Sequence, residues 1–327
     1  MAPTPVLHQT DIFLPPADPD DHYDLATQFA LARRGDITFA GVLLDYPPPR
    51  HAASVPAVQS VAQLSRLTGV STSTMVGAAE PFIVGREPGA GARYVLSALE
   101  AAAEQIDIHV VGSCRDIAEA AQEKPDLFAE KCRRLYLNAG SSGPVADAEG
   151  AREYNIEMDA SAFRSMFDLP CETRWMPCFT VTGERIVSEY ATHWSFDQRA
   201  FVDALPDQIA RYFAYALGHR GENWLAAIET GAPRAVPEER RSMWCTAGFL
   251  DSAGLTVDPD GAIREIGSGG PGVFEFLPAR WSCSESGHVT WELSQEVSPS
   301  KIFRVTDQPN YEEAMTRAMG ELLRAVR

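Results

Sequence analysis

Three features of the sequence predict a single α/β domain over residues 1–327, with a mostly parallel central sheet flanked by helices. Strand-like and helix-like segments alternate from Val6 to Asn138. Ile37–Leu44 (ITFAGVLL) is nearly all apolar, as a strand buried on both faces of a parallel sheet is. Asp11, Asp45, Gly112 and Asn138 stand at the ends of strand-like runs, where such sheets collect ligands.

Val6–Phe13 is a β-compatible run that ends on Asp11. Pro15, Pro16 and Pro19 exclude regular helix until about Asp20. Leu25–Ala32 reads as helix, closed by Arg33, Arg34 and Gly35. After the Ile37–Leu44 strand comes a Pro-rich turn, Tyr46–Pro49. A helix follows from about Ala53 to Thr68, with Val58, Val61, Leu64 and Leu67 at helical spacing. Thr74–Val76 is a short strand, Ala90–Ala103 a helix and Ile106–Val111 a strand running into Gly112. Asp116–Ala121 opens a helix, and Cys132–Leu137 is a strand that stops at Asn138.

The second half is less regular. Asp197–Leu217 reads as one long helix, Gly218–Pro237 as helix and loop, and Trp244–Leu255 as helix. Val273–Phe276, Val289–Leu293 and Ile302–Val305 are strands, and a last helix begins at Tyr311. Gly267–Gly272 formally matches GxGxxG, but Pro271 lies inside it and a strand follows where a phosphate-binding helix is required. It reads as a glycine-rich surface loop.

The chain carries 28 basic and 45 acidic side chains, a formal net charge of −17, which excludes electrostatic binding to nucleic acid or anionic membrane surfaces. No segment approaches the ~18 apolar residues of a membrane span. Met1–Gln9 lacks the features of a secretory signal, and six scattered cysteines without a CxxC pair read as free thiols in a reducing, cytoplasmic setting. There is no GxSxG elbow and no HExxH zinc helix. Residues 1–32 contain no Lys or Arg, yet hold Asp11, Asp18, Asp20, Asp21 and Asp24. Carboxylates this dense repel one another unless a cation, protons or full solvation offsets the repulsion. Several oxygens in one loop suit a hard divalent cation such as Ca2+.

Asp11, the group Asp18-Pro-Asp20-Asp21-His-Tyr-Asp24 and the Ile37–Leu44 strand together resemble the start of the inosine–uridine-preferring nucleoside hydrolases. Further matches follow in order. Val58–Thr68 with Val76-Gly-Ala-Ala-Glu-Pro, Val110-Val-Gly-Ser-Cys-Arg-Asp-Ile-Ala and Leu135-Tyr-Leu-Asn-Ala-Gly resemble successive family segments. Arg152-Glu153-Tyr154-Asn155-Ile156-Glu-Met-Asp159-Ala is similar to the family's "AEFNIxxDPEA". The likeness runs well over roughly residues 5–200 and weakly beyond.

The resemblance implies a Ca2+-dependent enzyme that breaks the N-glycosidic bond of a ribonucleoside or related ribosylated small molecule. It implies Asp11 as a metal ligand and as the base for the attacking water. Asp20 would bind ribose hydroxyls, and Asp21 and Asp24 compete for the next metal position: the Asp-Asp pair favours Asp21, ungapped counting from Ile37 favours Asp24. Arg115 would offer its backbone carbonyl to the metal. Asn138, Glu153 and Asn155 would bind the ribose. A homodimer or homotetramer is implied in the same way.

The family's late "HDP" motif is missing. Cys245 and Thr246 align with it, Cys245 toward substrate and Thr246 toward metal, with Asp251 supplying the carboxylate if the register slips. His22 and His193 are the candidate substitutes for the leaving-group acid, and Trp175, Trp194 and Trp244 could stack on a purine-like ring. Two other readings stand beside hydrolysis: a weakened homologue that binds nucleosides, and a ribose site reused in a specialised pathway.

Overall fold

The computed structural model describes residues 2–143, 152–179, 189–218, 223–230 and 235–326. A nine-stranded sheet organises them. Its strands are β1 (Thr4–Thr10), β2 (Ile37–Leu44), β3 (Thr74–Val76), β4 (Ile106–Val111), β5 (Cys132–Asn138), β6 (Glu172–Met176), β7 (Phe274–Cys283), β8 (Val289–Leu293) and β9 (Ser300–Val305). They lie in the order β8-β7-β9-β6-β5-β4-β1-β2-β3. The seven from β9 to β3 run parallel, and β7 and β8 close one edge as an antiparallel pair.

The central parallel strands bury both faces. In β1, Val6 packs into one apolar cluster and Leu7 into the other; in β2, Val42 and Leu44 face the first and Leu43 the second. Helices cover both sides, with α1 (Asp20–Arg34), α2 (Val58–Thr68), α3 (Ala90–Ala101), α4 (Arg115–Glu123) and α5 (Pro125–Lys131) in the first half. Then come α6 (Tyr154–Met158), α7 (Ala160–Ser165), α8 (Gln198–Asp203), α9 (Asp207–Leu217), α10 (Trp224–Glu229), α11 (Thr246–Ser252) and α12 (Gln308–Arg324).

The topology locates the site. From β1 the chain moves outward to β2 and β3, then returns to β4 on the other side of β1. That reversal opens a crevice beyond the carboxyl ends of β1 and β4. Asp11 follows β1, Asp45 follows β2, Gly112 follows β4 and Asn138 ends β5, so the residues expected at strand ends are there.

Several boundaries differ from the sequence reading. The long helix over 197–217 is two, α8 and α9, because Pro206 interrupts it and Asp197 caps the first through Ala200 N. The helix expected from Ala53 begins at Val58, since Pro56 pairs in a two-residue strand with Phe13. The helix expected over 244–255 is only α11, because Trp194–Asp197 pairs with Arg240–Met243 before it and Leu255–Val257 forms a strand after it. Positions 219–222 and 231–234 of the Gly218–Pro237 segment lie outside the described residues. No helix of the described residues is long and apolar enough to cross a membrane.

One buried carboxyl gives a stability test away from the crevice. Asp116 on α4 accepts from Ala78 N at 3.0 Å and fills space that a Cβ on Gly77 or Gly91 would occupy. Burial raises its pKa to about 7, with the Ala78 N–H opposing. The folded protein therefore holds this proton where the unfolded chain has lost it, and its contribution to stability falls as pH rises from about 4 to about 7. Asp116→Asn should flatten the fall by up to ~4 kcal/mol, read from urea midpoints at the two ends of that window. An unchanged slope would exclude Asp116 as its source.

Candidate active site

A cavity of about 230 Å³ fills the crevice. Asp11, Asp18, Asp20 and Asp21 form one side of it, and Asn138, Glu153 and Asn155 another. Ala17, Val111, Tyr154, Cys178, Phe179, Trp244 and Cys245 complete its described wall. No Lys, Arg or His lines it among the described residues.

The acidic side arises from two backbone events. Asp11 leaves the end of β1, while Asp20 and Asp21 occupy the first turn of α1, whose N-terminal dipole favours negative charge. Thr10 Oγ ties the two events together by donating to Asp21 Oδ1 at 2.7 Å. Asp45 stands behind, held by Gln9 Nε2 (2.6 Å), Ser113 N (2.6 Å) and Ser113 Oγ (2.9 Å). Burial raises the Asp11 carboxyl well above the usual range, and repulsion from Asp45 and Asp18 adds to it. Asp20 and Asp21 are raised in the same way, first by burial and then by neighbouring aspartates.

The other side is extensively hydrogen-bonded. Glu153 caps α6, its carboxylate accepting from Asn155 N (3.0 Å), Gly140 N (2.9 Å) and Ile156 N (3.4 Å). Burial lifts its pKa to about 6 against these three donors. Asn155 Nδ2 donates to Asn138 O at 3.1 Å. Asn138 Nδ2 donates to Met176 O at 2.8 Å, while its Oδ1 accepts from the Cys245 thiol at 2.9 Å. Burial and the nearby Asp24 raise the Cys245 pKa, so it stays a neutral thiol.

The remaining expected residues lie elsewhere. Asp24 is fully buried beside Cys245 and outside the cavity lining, and burial lifts it to about 8. The Asp20–Asp21 pair, one helical turn earlier, takes the cavity position. His22 lies outside the cavity lining, bonded to Tyr212 Oη and Phe13 O at 3.1 Å each. His193 does not line the cavity; it packs behind Trp244 and Phe179, with ring centroids at 5.5 and 6.4 Å. Arg115 turns its guanidinium to Asp159 and Met158 O and is not part of the lining. Thr246, at the start of α11, is buried outside it. Asp251, near the far end of α11, pairs with Arg174 and accepts from Tyr136 Oη at 2.6 Å, so no register slip brings it to the crevice. Trp175 and Trp194 are core residues, and only Trp244 of the three tryptophans reaches the wall.

Sequence reasoning missed Tyr154, Cys178 and Phe179. Tyr154 could have been found, because it sits inside the Glu153–Asn155 motif; Arg50 stacks on its ring at 4.5 Å from the Pro-rich turn. Cys178 and Phe179 follow β6, a strand the reading did not predict.

A hard cation suits the donor set. Asp11 Oδ2 and Asp20 Oδ1 are buried without a hydrogen-bond partner among the described residues, and the uncompensated charge is all on oxygen. As they stand, no three His, Cys, Asp or Glu side chains among the described residues are grouped to hold a metal ion. Side-chain rotation would be needed to close the carboxylates on one.

Neither a family model nor a curated protein sequence matches the chain. Solved structures do. The inosine-uridine preferring nucleoside hydrolase of Bacillus anthracis matches with a TM-score of 0.51 at 13% identity, over 97% of this chain and 99% of that one. The purine-preferring ribonucleoside hydrolase of Gardnerella vaginalis matches with a TM-score of 0.60 at 13% identity, over 98% and 99%. The type III effector protein XopQ, complexed with adenosine diphosphate ribose, matches with a TM-score of 0.60 at 14% identity, over 100% and 95%. The chain has the nucleoside hydrolase fold, as its N-terminal half led one to expect.

Proposed function

We propose that the crevice binds the ribose of a nucleoside or related ribosylated small molecule with Ca2+ and hydrolyses its N-glycosidic bond. The observation that carries this reading is the convergence of Asp11, Asp18, Asp20 and Asp21 opposite Asn138, Glu153 and Asn155 on one cavity. The nucleoside hydrolase fold and the ADP-ribose named with XopQ support the substrate class.

Asp11 and Asp21 would hold the cation, with Asp18 and Asp20 adjoining. When bound, the ion would polarise a water and the ribose hydroxyls, lowering their pKa values. Asp11 takes the proton as the water's oxygen bonds to the anomeric carbon and the C–N bond breaks. The remaining carboxylates stabilise the oxocarbenium-like charge on the sugar. Trp244 lies against the leaving group, and its Nε1–H, buried and unpartnered among the described residues, is a donor for it.

With no histidine among the described lining residues, leaving groups that depart unprotonated should react best. p-Nitrophenyl riboside is expected to turn over at least ~10²-fold faster than inosine or uridine, the range of a missing general acid. EDTA should abolish both reactions. Calcium-dependent nucleoside binding without release of ribose from either substrate would favour a binding protein instead. Absence of calcium and nucleoside binding alike would overturn both.

A further inference from the structure

A second cavity, about 670 Å³, opens at the amino-terminal ends of β1 and β5, away from the crevice at the carboxyl ends. Its walls are the start of β5, parts of β6, β7 and β9, the end of α11 and the glycine-rich loop at 267–272. Helix α11 thus runs from one cavity to the other, with Cys245 at its N-cap in the first and Asp251 near its end in the second.

On a chain of net charge −17, five basic residues line this cavity: Arg133, Arg134, Arg174, Arg264 and Lys301. Not all of that charge is matched. Arg133 is held by Asp107, Arg264 by Asp258, and Arg174 by Asp251. Arg134 and Lys301, by contrast, share the single oxygen Glu172 Oε1 with Arg174, at 3.3, 3.7 and 2.7 Å. Half-burial alone would raise the Glu172 carboxyl, yet the surrounding cations hold it below its ordinary value. Arg134 and Lys301 remain about one-quarter exposed, so an anion from solvent can reach them.

The loop adds neutral donors. Arg264 anchors it through Gly270 O, and among the described residues the backbone N–H groups of Gly269 and Gly270 make no backbone hydrogen bond. A Cβ on Gly270 would meet nothing within 4 Å, so this backbone is open to a ligand. Phe274 and Phe276 supply an aromatic wall on the same cavity. Clustered cations, unpaired N–H groups and aromatic rings are the complement of phosphoryl oxygens joined to a planar ring.

We propose that this cavity binds a phosphorylated, ring-bearing small molecule of nucleotide size, with Arg134 and Lys301 taking the phosphoryl group beside the 267–272 loop. This site is separate from the acidic crevice: the two cavities share no lining residue.

ADP, adenosine and inorganic phosphate are the probes, titrated calorimetrically in EDTA so that the acidic crevice has no calcium. ADP should bind wild-type protein more tightly than adenosine, and added salt should weaken it. Arg134→Ala/Lys301→Ala should lower ADP affinity about tenfold or more, while Asp20→Asn leaves it unchanged. Should the double variant lose its fold by circular dichroism, Lys301→Gln, at the exposed rim, should still weaken ADP several-fold. No ADP binding, or equal affinity for adenosine, overturns the proposal. So does ADP binding that survives loss of the cations and disappears in Asp20→Asn, which would put the ligand in the crevice and leave the hydrolase reading intact.

Discussion

Replacing Asp11 with asparagine is expected to lower kcat/KM for ribose release by on the order of 10³-fold or more and to raise stability in calcium-free buffer. Both effects have one cause. Asp11 is 2% exposed, lies near Asp45 and Asp18, and has one carboxyl oxygen without a partner among the described residues. Asparagine keeps the shape, removes the repulsion and removes the base. A thermal midpoint higher by about 2 °C or more in EDTA, with turnover lost, would mark a site that sacrifices stability for charge. Calcium should reverse the ranking by stabilising wild-type protein through binding to the folded state. Its affinity should also fall as pH is lowered, because protons held by the raised Asp11, Asp20 and Asp21 carboxyls compete with the cation. Turnover within tenfold of wild type in Asp11→Asn would remove it as the base.

Where the sequence was legible and where it was not follows from how each residue is satisfied. Ile37–Leu44 and Ile106–Val111 could be read to the residue because mostly apolar strands between two helical layers have no competing interpretation. β6 was invisible, since Glu172-Thr-Arg-Trp-Met looks amphipathic and exposed. It is nevertheless a central strand, because Arg174 finds Glu172 and Asp251 as partners that sequence cannot pair. The acidic cluster was readable as a cluster, but not its register. Asp20, Asp21 and Asp24 all lie on the first turns of α1; the rotation of that helix, set by buried Tyr23 stacked on Phe213 at 4.1 Å, decides which reach the crevice. Glu153 shows the same limit. Its motif was recognisable, whereas its use of three backbone N–H groups as an N-cap depends on where Gly140 folds back.

The largest loss of stability should come from Arg174→Ala, at the centre of the other cavity. Its guanidinium bridges Asp251 and Glu172 and lies over the Phe276 ring at 5.0 Å, with the side chain only 7% exposed. Removing it strands Asp251 in a site where Tyr136 Oη is its other partner, and it takes away the guanidinium stacked over Phe276. Loss of one member of a buried ion pair costs about 3–5 kcal/mol, a large share of the ~5–15 kcal/mol that holds a domain together. Asp251→Asn in the same background should recover part of the loss, because the amide carries no charge to desolvate. The single Asp251→Asn variant should leave calcium affinity and ribose release unchanged, since Asp251 faces away from the crevice. Chemical denaturation of the four proteins completes the cycle, and a coupling energy below ~0.5 kcal/mol would show that Arg174 and Asp251 act independently. Lost ribose release in a folded Asp251→Asn protein would instead return this carboxylate to the metal position that its place on α11 argues against.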